Sequence, residues 1–219
     1  MSNLDQIKQD LLAACRIIAT EGLADAFAHV SARVPGTQTM AFMPPKSPAL
    51  VDYSDLFVVG LDEPVPQSSV HQAIYRLRPD VGAVIHAHPP RCITLSLIGE
   101  SVRPVHNNSV MFWQGVPLYE TPGRVGGRER GDEIARTLGA CQALVQRGHG
   151  IIAAGGSVRD ACLLTLYLEE TARMLLEIAP LGRAQDIPKD IAAQLSQAFF
   201  TETSNQRAWE HFKRKAGAA

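Results

Sequence analysis

An apolar stripe with helical spacing opens the chain, its members three or four positions apart. The members are Leu4, Ile7, Leu11, Cys15 and Ile18. Asn3 is a suitable N-cap and Gly22 a suitable terminator, so we predict a helix between them. Further along, Ser157 followed three residues later by Asp160 predicts the capped start of a long helix that ends near Ile178.

Strict alternation follows the first helix and predicts a strand with one apolar and one polar face. The apolar positions are Ala28, Val30, Ala32 and Val34, and the alternating positions are Phe27, His29, Ser31 and Arg33. Further strands are predicted at MAFM, LFVVG, QALVQ and IIAAG. The polar face of the first strand is a candidate for chemistry.

A helix with N-cap Ser68 is predicted before the apolar strand VGAVIHAH, which Pro89-Pro90 end. A last helix is predicted over 189–215, packing on the core or on a neighbouring subunit. Strands and helices alternate without an internal repeat or a boundary, so residues 1–219 are expected to form one mixed α/β domain.

Composition excludes several classes of protein. The chain is 46% hydrophobic and 20% charged over 219 residues, which disfavours disorder. Its net charge of −1 disfavours nucleic-acid binding. Apolar runs fall short of the ~20 residues that cross a membrane, and the N-terminus does not resemble a signal peptide. Four scattered cysteines, without a C-x-x-C pair, indicate reduced thiols. We therefore expect a cytoplasmic protein.

Histidines suggest a metal site at the end of the apolar strand. His86 and His88 are two residues apart, so both side chains leave the same face of the strand. His149 lies between two glycines in a predicted turn after another strand. Three imidazoles can bind one divalent ion, but surface His-x-His pairs are common, and spacing alone does not show that the rings converge.

These segments resemble the class II aldolase/adducin family from about residue 4 to residue 181. The matching pieces are HVSAR, VHQAIYRLRPDVGAVIHAHP, and RGHG before a long helix. The resemblance implies a three-layer α/β/α fold around a mixed, largely antiparallel sheet, usually in a homotetramer. It also implies that His86, His88 and His149 hold a divalent ion, which we expect to be Zn or Mn, with Fe or Co as alternatives.

The sequence departs from the sugar-phosphate aldolases of this family at the positions that hold phosphate and move protons. Their acid/base Glu, four residues before the position of His71, is here Gln67, which cannot exchange a proton. Val65 and Pro66 occupy the positions of two phosphate-binding serines, although Ser68 and Ser69 lie just beyond. The family's Gly-Asn is replaced by Ala28-His29, and its Ser-Gly turn by the glycine-free loop 45–48. A small anionic, unphosphorylated substrate is therefore expected.

Family members with His-Val-Ser at this point resemble decarboxylases of hydroxylated aromatic or pyridine carboxylates. That activity, in aromatic-compound catabolism, is our expectation. The imidazolium of His29 would pair with the substrate carboxylate or deliver the proton that replaces CO2. Gln67 would hydrogen-bond to a metal-bound water or to the substrate. Glu120 is the candidate acid/base if the reaction needs another one. Candidates for substrate binding are Ser31, Arg33, Arg91 and His106.

Two alternatives remain open. One is an aldolase or dehydratase that acts on a sugar-like substrate, with Glu120 or a metal-bound water in place of the missing Glu. The other is a non-catalytic, adducin-like interaction domain. Domains of that kind lose metal ligands, whereas all three histidines are present here, so we rank this alternative last.

Overall fold

The computed structural model describes residues 3–121, 123 and 127–218. A seven-stranded sheet with helices on both faces forms its centre, as the resemblance implied. The sheet order is β3-β2-β1-β4-β7-β6-β5, and all neighbouring pairs are antiparallel except β5 with β6. The strands are β1 His29–Arg33, β2 Thr39–Phe42, β3 Phe57–Gly60, β4 Ala83–Ala87, β5 Leu118–Tyr119, β6 Ala143–Gln146 and β7 Gly150–Gly155.

The α-helices lie in the order that the sequence pattern predicted, except at the C-terminal end. They are α1 Asn3–Thr20, α2 Ser69–Leu77, α3 Pro90–Leu97, α4 Arg128–Leu138, α5 Val158–Ile178, α6 Lys189–Phe199 and α7 Glu202–Lys215. The Ser157 side chain caps α5 by accepting a hydrogen bond from the backbone N–H of Asp160, as its spacing predicted.

The prediction of one helix over 189–215 is wrong, because the structure divides it at Phe200 and Thr201. Thr201 starts α7 by accepting a hydrogen bond from the backbone N–H of Ser204. Trp209 on α7 is buried in the core beside α1 and α5. Packing of this segment against the core is therefore observed within the chain.

Two apolar layers sandwich the sheet because successive side chains of a strand point to opposite faces. Helices α1, α3, α5 and α7 cover one face, whose buried residues include Val30 and Ile85. Helices α2 and α4 cover the other, which includes Val84 and Phe42. His86 follows Val84 by two residues and therefore belongs to the α2–α4 face. Within the described residues, no helix is both long and apolar enough to span a membrane.

Candidate metal centre

The three predicted histidines converge at one end of the central strands. The metal-binding nitrogens of His86, His88 and His149 all lie within 4.8 Å of one another. Nε2 of His149 is 3.2 Å from Nε2 of His86 and 3.4 Å from Nε2 of His88. Two imidazole nitrogens that bind one tetrahedral ion at about 2.0–2.1 Å lie about 3.3–3.4 Å apart. The spacing therefore fits three ligands of a single ion.

The outer nitrogens of two rings fix which nitrogen faces the centre. Nδ1–H of His86 donates to the carbonyl of Ile151 at 3.0 Å, and Nδ1–H of His88 donates to a carboxylate oxygen of Asp25 at 2.8 Å. Both acceptors lack a proton, so each neutral ring turns a bare Nε2 lone pair inwards. Two lone pairs that converge beside Nε2 of His149 would be stabilised by a cation.

Burial keeps two rings of this cluster, those of His86 and His149, in the form that binds metals. It lowers the pKa of His86 well below its usual value, and the neighbouring charges of His88 and His29 add to the effect. The pKa of His149 is lowered first by burial, then by the charges of His88 and Arg130. Neutral imidazole is the form that coordinates a metal. The donor set therefore fits a divalent ion near neutral pH.

A close glycine lets the turn that carries His149 approach the end of β4. A β-carbon on Gly150 would collide with the carbonyl oxygen of Ala87 and would lie 2.7 Å from Cδ2 of His88. The glycine that the sequence places after His149 is thus required by the packing of two ligand-bearing segments.

His29 borders the triad from the neighbouring strand. It pairs with His86 across β1 and β4, with the ring centroids 5.6 Å apart. The ring is only 8% exposed, and burial, followed by the charge of His88, lowers its pKa to about 4. The expected imidazolium is therefore corrected: in the free protein His29 is a neutral imidazole near pH 7.

Gln67 faces His29 from the loop before α2. The proximity of its side chain opposes part of the lowering of the pKa of His29. Nε2 of His29 and Oε1 of Gln67 are nonetheless buried without a well-formed hydrogen bond to any described residue. The backbone φ of Gln67 is +68°, the one positive value among the described residues other than glycine. Such strain is typical of functional sites.

A cavity of about 610 Å³ adjoins this edge of the site. Its lining includes Gln67, which faces His29, together with Ser69, Arg76 and Arg128, but none of the described histidines. Arg76 pairs with Asp132 at 3.1 Å, whereas the side chain of Arg128 is 72% exposed and only loosely paired with Asp62 at 4.0 Å. The volume lies in the range of small-molecule pockets, about 300–1,000 Å³.

Ser31 and Arg33 are held by structural hydrogen bonds, which corrects their predicted role in substrate binding. Ser31 is fully buried, with Oγ 2.7 Å from Nδ1 of His71 and 2.8 Å from the hydroxyl of Tyr75. The guanidinium of Arg33 donates to the backbone carbonyls of Tyr75, Arg78 and Val81. Both residues support α2 instead, because this helix covers the polar face of β1.

His106 also has a structural environment, contrary to its predicted contact with substrate. Its Nδ1 accepts from the backbone N–H of Asn108 and caps the short helix Asn107–Phe112. Its Nε2–H donates to Thr171 Oγ at 3.0 Å. The ring is thus satisfied on both sides.

Glu120 and Arg91 lie outside the triad. The carboxylate of Glu120 is exposed and pairs with Arg147 at 3.0 Å. Arg91 lies in the first turn of α3, and its backbone N–H donates to the buried carboxylate of Glu169. A catalytic role for Glu120 and a substrate-binding role for Arg91 stay predictions.

Sequence reasoning missed Asp25, which lies 63 positions from its partner His88. It also missed Glu169, whose carboxylate accepts from the first N–H groups of α3. Neither acid carries a local signal, because its partner is brought near only by the fold.

Comparisons with known proteins agree with this fold. The model of the family described as "Class II Aldolase and Adducin N-terminal domain" matches residues 9–176. The 3,4-dihydroxyphthalate decarboxylase of Arthrobacter keyseri is 29% identical, covering 97% of this chain and 94% of the relative. The enzyme of that name from Terrabacter sp. is 32% identical over 82% of this chain and 85% of the relative.

A solved structure supports the fold independently. The L-fuculose 1-phosphate aldolase from Glaciozyma antarctica PI12 superposes with a TM-score of 0.81 at 21% identity. The match covers 97% of this chain and 88% of that protein. At this identity, the likeness concerns the fold.

Proposed function

The chain belongs to the class II aldolase and adducin N-terminal domain family, and from that premise we propose that it is a divalent-metal-dependent decarboxylase. Its proposed substrates are small hydroxylated aromatic or heteroaromatic carboxylates. The observation that carries this proposal is the convergent three-histidine cluster, with His29 and Gln67 beside it and no carboxylate among its members. Relatives that match most of the chain are named as decarboxylases of 3,4-dihydroxyphthalate.

His86, His88 and His149 would hold the ion, which we propose to be Zn or Mn. A divalent ion held there would supply Lewis acidity, which would stabilise the negative charge left on the substrate. Decarboxylation needs this help because the bond to the carboxylate breaks and its electron pair stays on the substrate carbon.

His29, a neutral imidazole in the free protein, would take up the proton of a substrate hydroxyl and deliver it to the carbon that CO2 leaves. Its Nε2 is buried next to the triad without a well-formed hydrogen bond to a described residue, so it is free to meet the substrate. Imidazole can take up and release a proton, whereas the amide of Gln67 can only donate or accept hydrogen bonds. We therefore assign substrate orientation to Gln67.

The pocket supports a small anionic substrate of this kind. The volume of about 610 Å³ accommodates a substituted ring, and Arg128 supplies an exposed cation at its rim. The phosphate-holding hydroxyls of sugar-phosphate aldolases are replaced by Val65 and Pro66, which lie in the wall of this cavity. Loss of these donors disfavours a phosphorylated sugar. A homotetramer is proposed from the family alone.

The test is CO2 release by the purified protein, stripped with EDTA and reloaded with Zn²⁺ or Mn²⁺. The substrate panel contains dihydroxyphthalates, dihydroxybenzoates and hydroxypyridine carboxylates, with sugar phosphates scored in parallel for aldehyde or ketone release. We expect CO2 from an aromatic acid, abolished by EDTA and by His86→Ala but retained in His211→Ala, which changes an exposed histidine of α7.

Two results would overturn the proposal. Aldehyde or ketone release without CO2 would support the aldolase alternative. CO2 release that survives both EDTA and His86→Ala would exclude the histidine cluster as the centre of the reaction.

A further inference from the structure

The loop between α1 and β1 holds His88 at two points. The backbone N–H of His88 donates to the carbonyl of Leu23 at 3.0 Å, and its Nδ1–H donates to Asp25 at 2.8 Å. His88 lies one residue beyond the end of β4, so the sheet no longer fixes its backbone. The loop between α1 and β1 fixes the backbone of His88 instead.

Two of the predicted ligands, His86 and His88, differ in how their rings are oriented. The partner of His86 is the main-chain carbonyl of Ile151, supplied by the antiparallel pairing of β4 with β7. That acceptor is present with any side chain at position 151. The partner of His88 is a side chain from a different part of the fold, so its orientation depends on the identity of residue 25.

Asp25 is itself held in place. The oxygen that faces His88 also accepts the backbone N–H of Phe27 at 2.7 Å. The side chain of Asp25 remains 52% exposed, so burial in the apolar core does not explain this acid. Its hydrogen bonds are with the loop and with a predicted metal ligand.

We propose that Asp25 is a positioning residue for the metal centre, which fixes the tautomer and ring orientation of His88. A carboxylate on the outer nitrogen of a metal-binding histidine has this effect in general, and its removal typically weakens metal binding about 10–100-fold. The inference rests on the proposed metal site and adds a residue to it outside the three histidines.

The experiment measures binding of Co²⁺ and Zn²⁺ to the full-length, EDTA-stripped protein by competition with a chromophoric chelator. The variants are Asp25→Ala, which removes the acceptor, and Asp25→Asn, which keeps an oxygen but removes the charge. The matched control is Asp80→Ala, because Asp80 is also exposed and paired, at 2.7 Å, but with Arg78.

We expect the Kd for both ions to rise about 10–100-fold in Asp25→Ala and by less in Asp25→Asn. Asp80→Ala should bind as tightly as wild type. The visible spectrum of the Co²⁺-loaded Asp25→Ala protein should shift, because the geometry at His88 changes. The melting temperature of each metal-free variant separates this effect from loss of the fold.

Asp25→Ala that binds Co²⁺ as tightly as wild type, with an unchanged spectrum, would overturn the inference and leave the metal site intact. A wild-type protein that binds neither ion would overturn the proposed function, and this inference with it. The Kd could also rise equally in Asp25→Ala and Asp80→Ala, together with a large fall in the melting temperature of both metal-free variants. That result would assign Asp25 a role in general stability and overturn the inference.

Discussion

His29 and His86 lie directly opposite each other on β1 and β4, and their ring centroids are 5.6 Å apart. Because of this register, a metal ligand and a second imidazole lie at the same end of the sheet, on the face that α2 covers. The ligand nitrogen of His86 faces the triad, whereas Nε2 of His29 has no well-formed partner among the described residues. Binding and proton transfer can therefore be separated by mutation.

His29→Asn should abolish most of the decarboxylation while metal content is retained. Asn can hydrogen-bond but cannot transfer a proton, and loss of a general acid typically lowers kcat about 10²–10⁴-fold. The measurement is kcat for CO2 release alongside metal stoichiometry. A variant with wild-type kcat would remove His29 from the mechanism, and one that loses its metal would make it a structural part of the centre.

Gly150→Ala should disrupt the metal centre from the backbone side. The added methyl collides with Ala87 and with the ring of His88, so the two ligand-bearing segments must separate. We expect weakened Zn²⁺ binding and a loss of about 1–3 kcal/mol in the free energy of unfolding. The control is Gly60→Ala, where a β-carbon would meet Glu63 at an ordinary 3.5 Å. Equal metal affinity in both variants would contradict the prediction.

The metal-free protein should become less stable as pH falls, in part because of His106. Burial lowers the pKa of this ring, Glu170 opposes the shift and Arg173 adds to it. The unfolded chain, with a pKa of about 6.5, then binds more protons than the folded one. Stability from this group is complete above that pH and decreases as pH falls through the unfolded pKa towards the folded pKa.

His106→Asn removes this titration while leaving an oxygen to cap the short helix at Asn108. The free energy of unfolding, measured in urea with EDTA at pH 8, 7, 6 and 5, should fall less steeply than in wild type. At pH 8, His106 is neutral in both the folded and the unfolded state. The free energies of unfolding of the two proteins should then differ only through the changed contact at the helix cap. An identical slope between pH 7 and pH 5 would show that His106 contributes nothing to the acid lability.

Ser31→Ala should change stability and leave the apparent KM for substrate unaffected. Its hydroxyl joins His71 and Tyr75 beneath α2, and removal leaves two buried polar groups without this partner. A loss of about 1–3 kcal/mol in the free energy of unfolding is expected. A raised KM with unchanged stability would instead restore the substrate-binding role that the strand pattern suggested.

The sequence predicted those parts of the site whose residues lie close together along the chain or match the family's motifs. The His86-x-His88 pair follows from strand periodicity, and His149 was placed by family resemblance; the structure brings all three together. The polar face of β1 was misjudged at Ser31 and Arg33, because alternation separates two faces without showing that a helix covers one of them.

Other misses have separate physical reasons. The partnership of Asp25 with His88 spans 63 positions and has no periodic signature. The break between α6 and α7 did have a local signal, since Thr201 precedes Ser204 at capping distance, but the apolar residues on either side favoured one continuous helix. The strained backbone at Gln67 has no signal either, because glycine or asparagine is the usual residue at positive φ.

That strain at Gln67 leads to opposite expectations for stability and activity. Gln67→Gly relieves a left-handed conformation that costs about 1–2 kcal/mol for a residue with a side chain, and the greater freedom of glycine in the unfolded chain offsets part of the gain. We expect the free energy of unfolding to rise by about 0.5–1 kcal/mol, while kcat/KM for CO2 release falls because the amide beside His29 is lost. Gln6→Gly, at an exposed position of α1, should instead lower the free energy of unfolding by about 1 kcal/mol. A Gln67→Gly protein that is less stable than wild type would show that the backbone at this position is not strained. One that retains wild-type kcat/KM would show that the amide of Gln67 is not needed for activity.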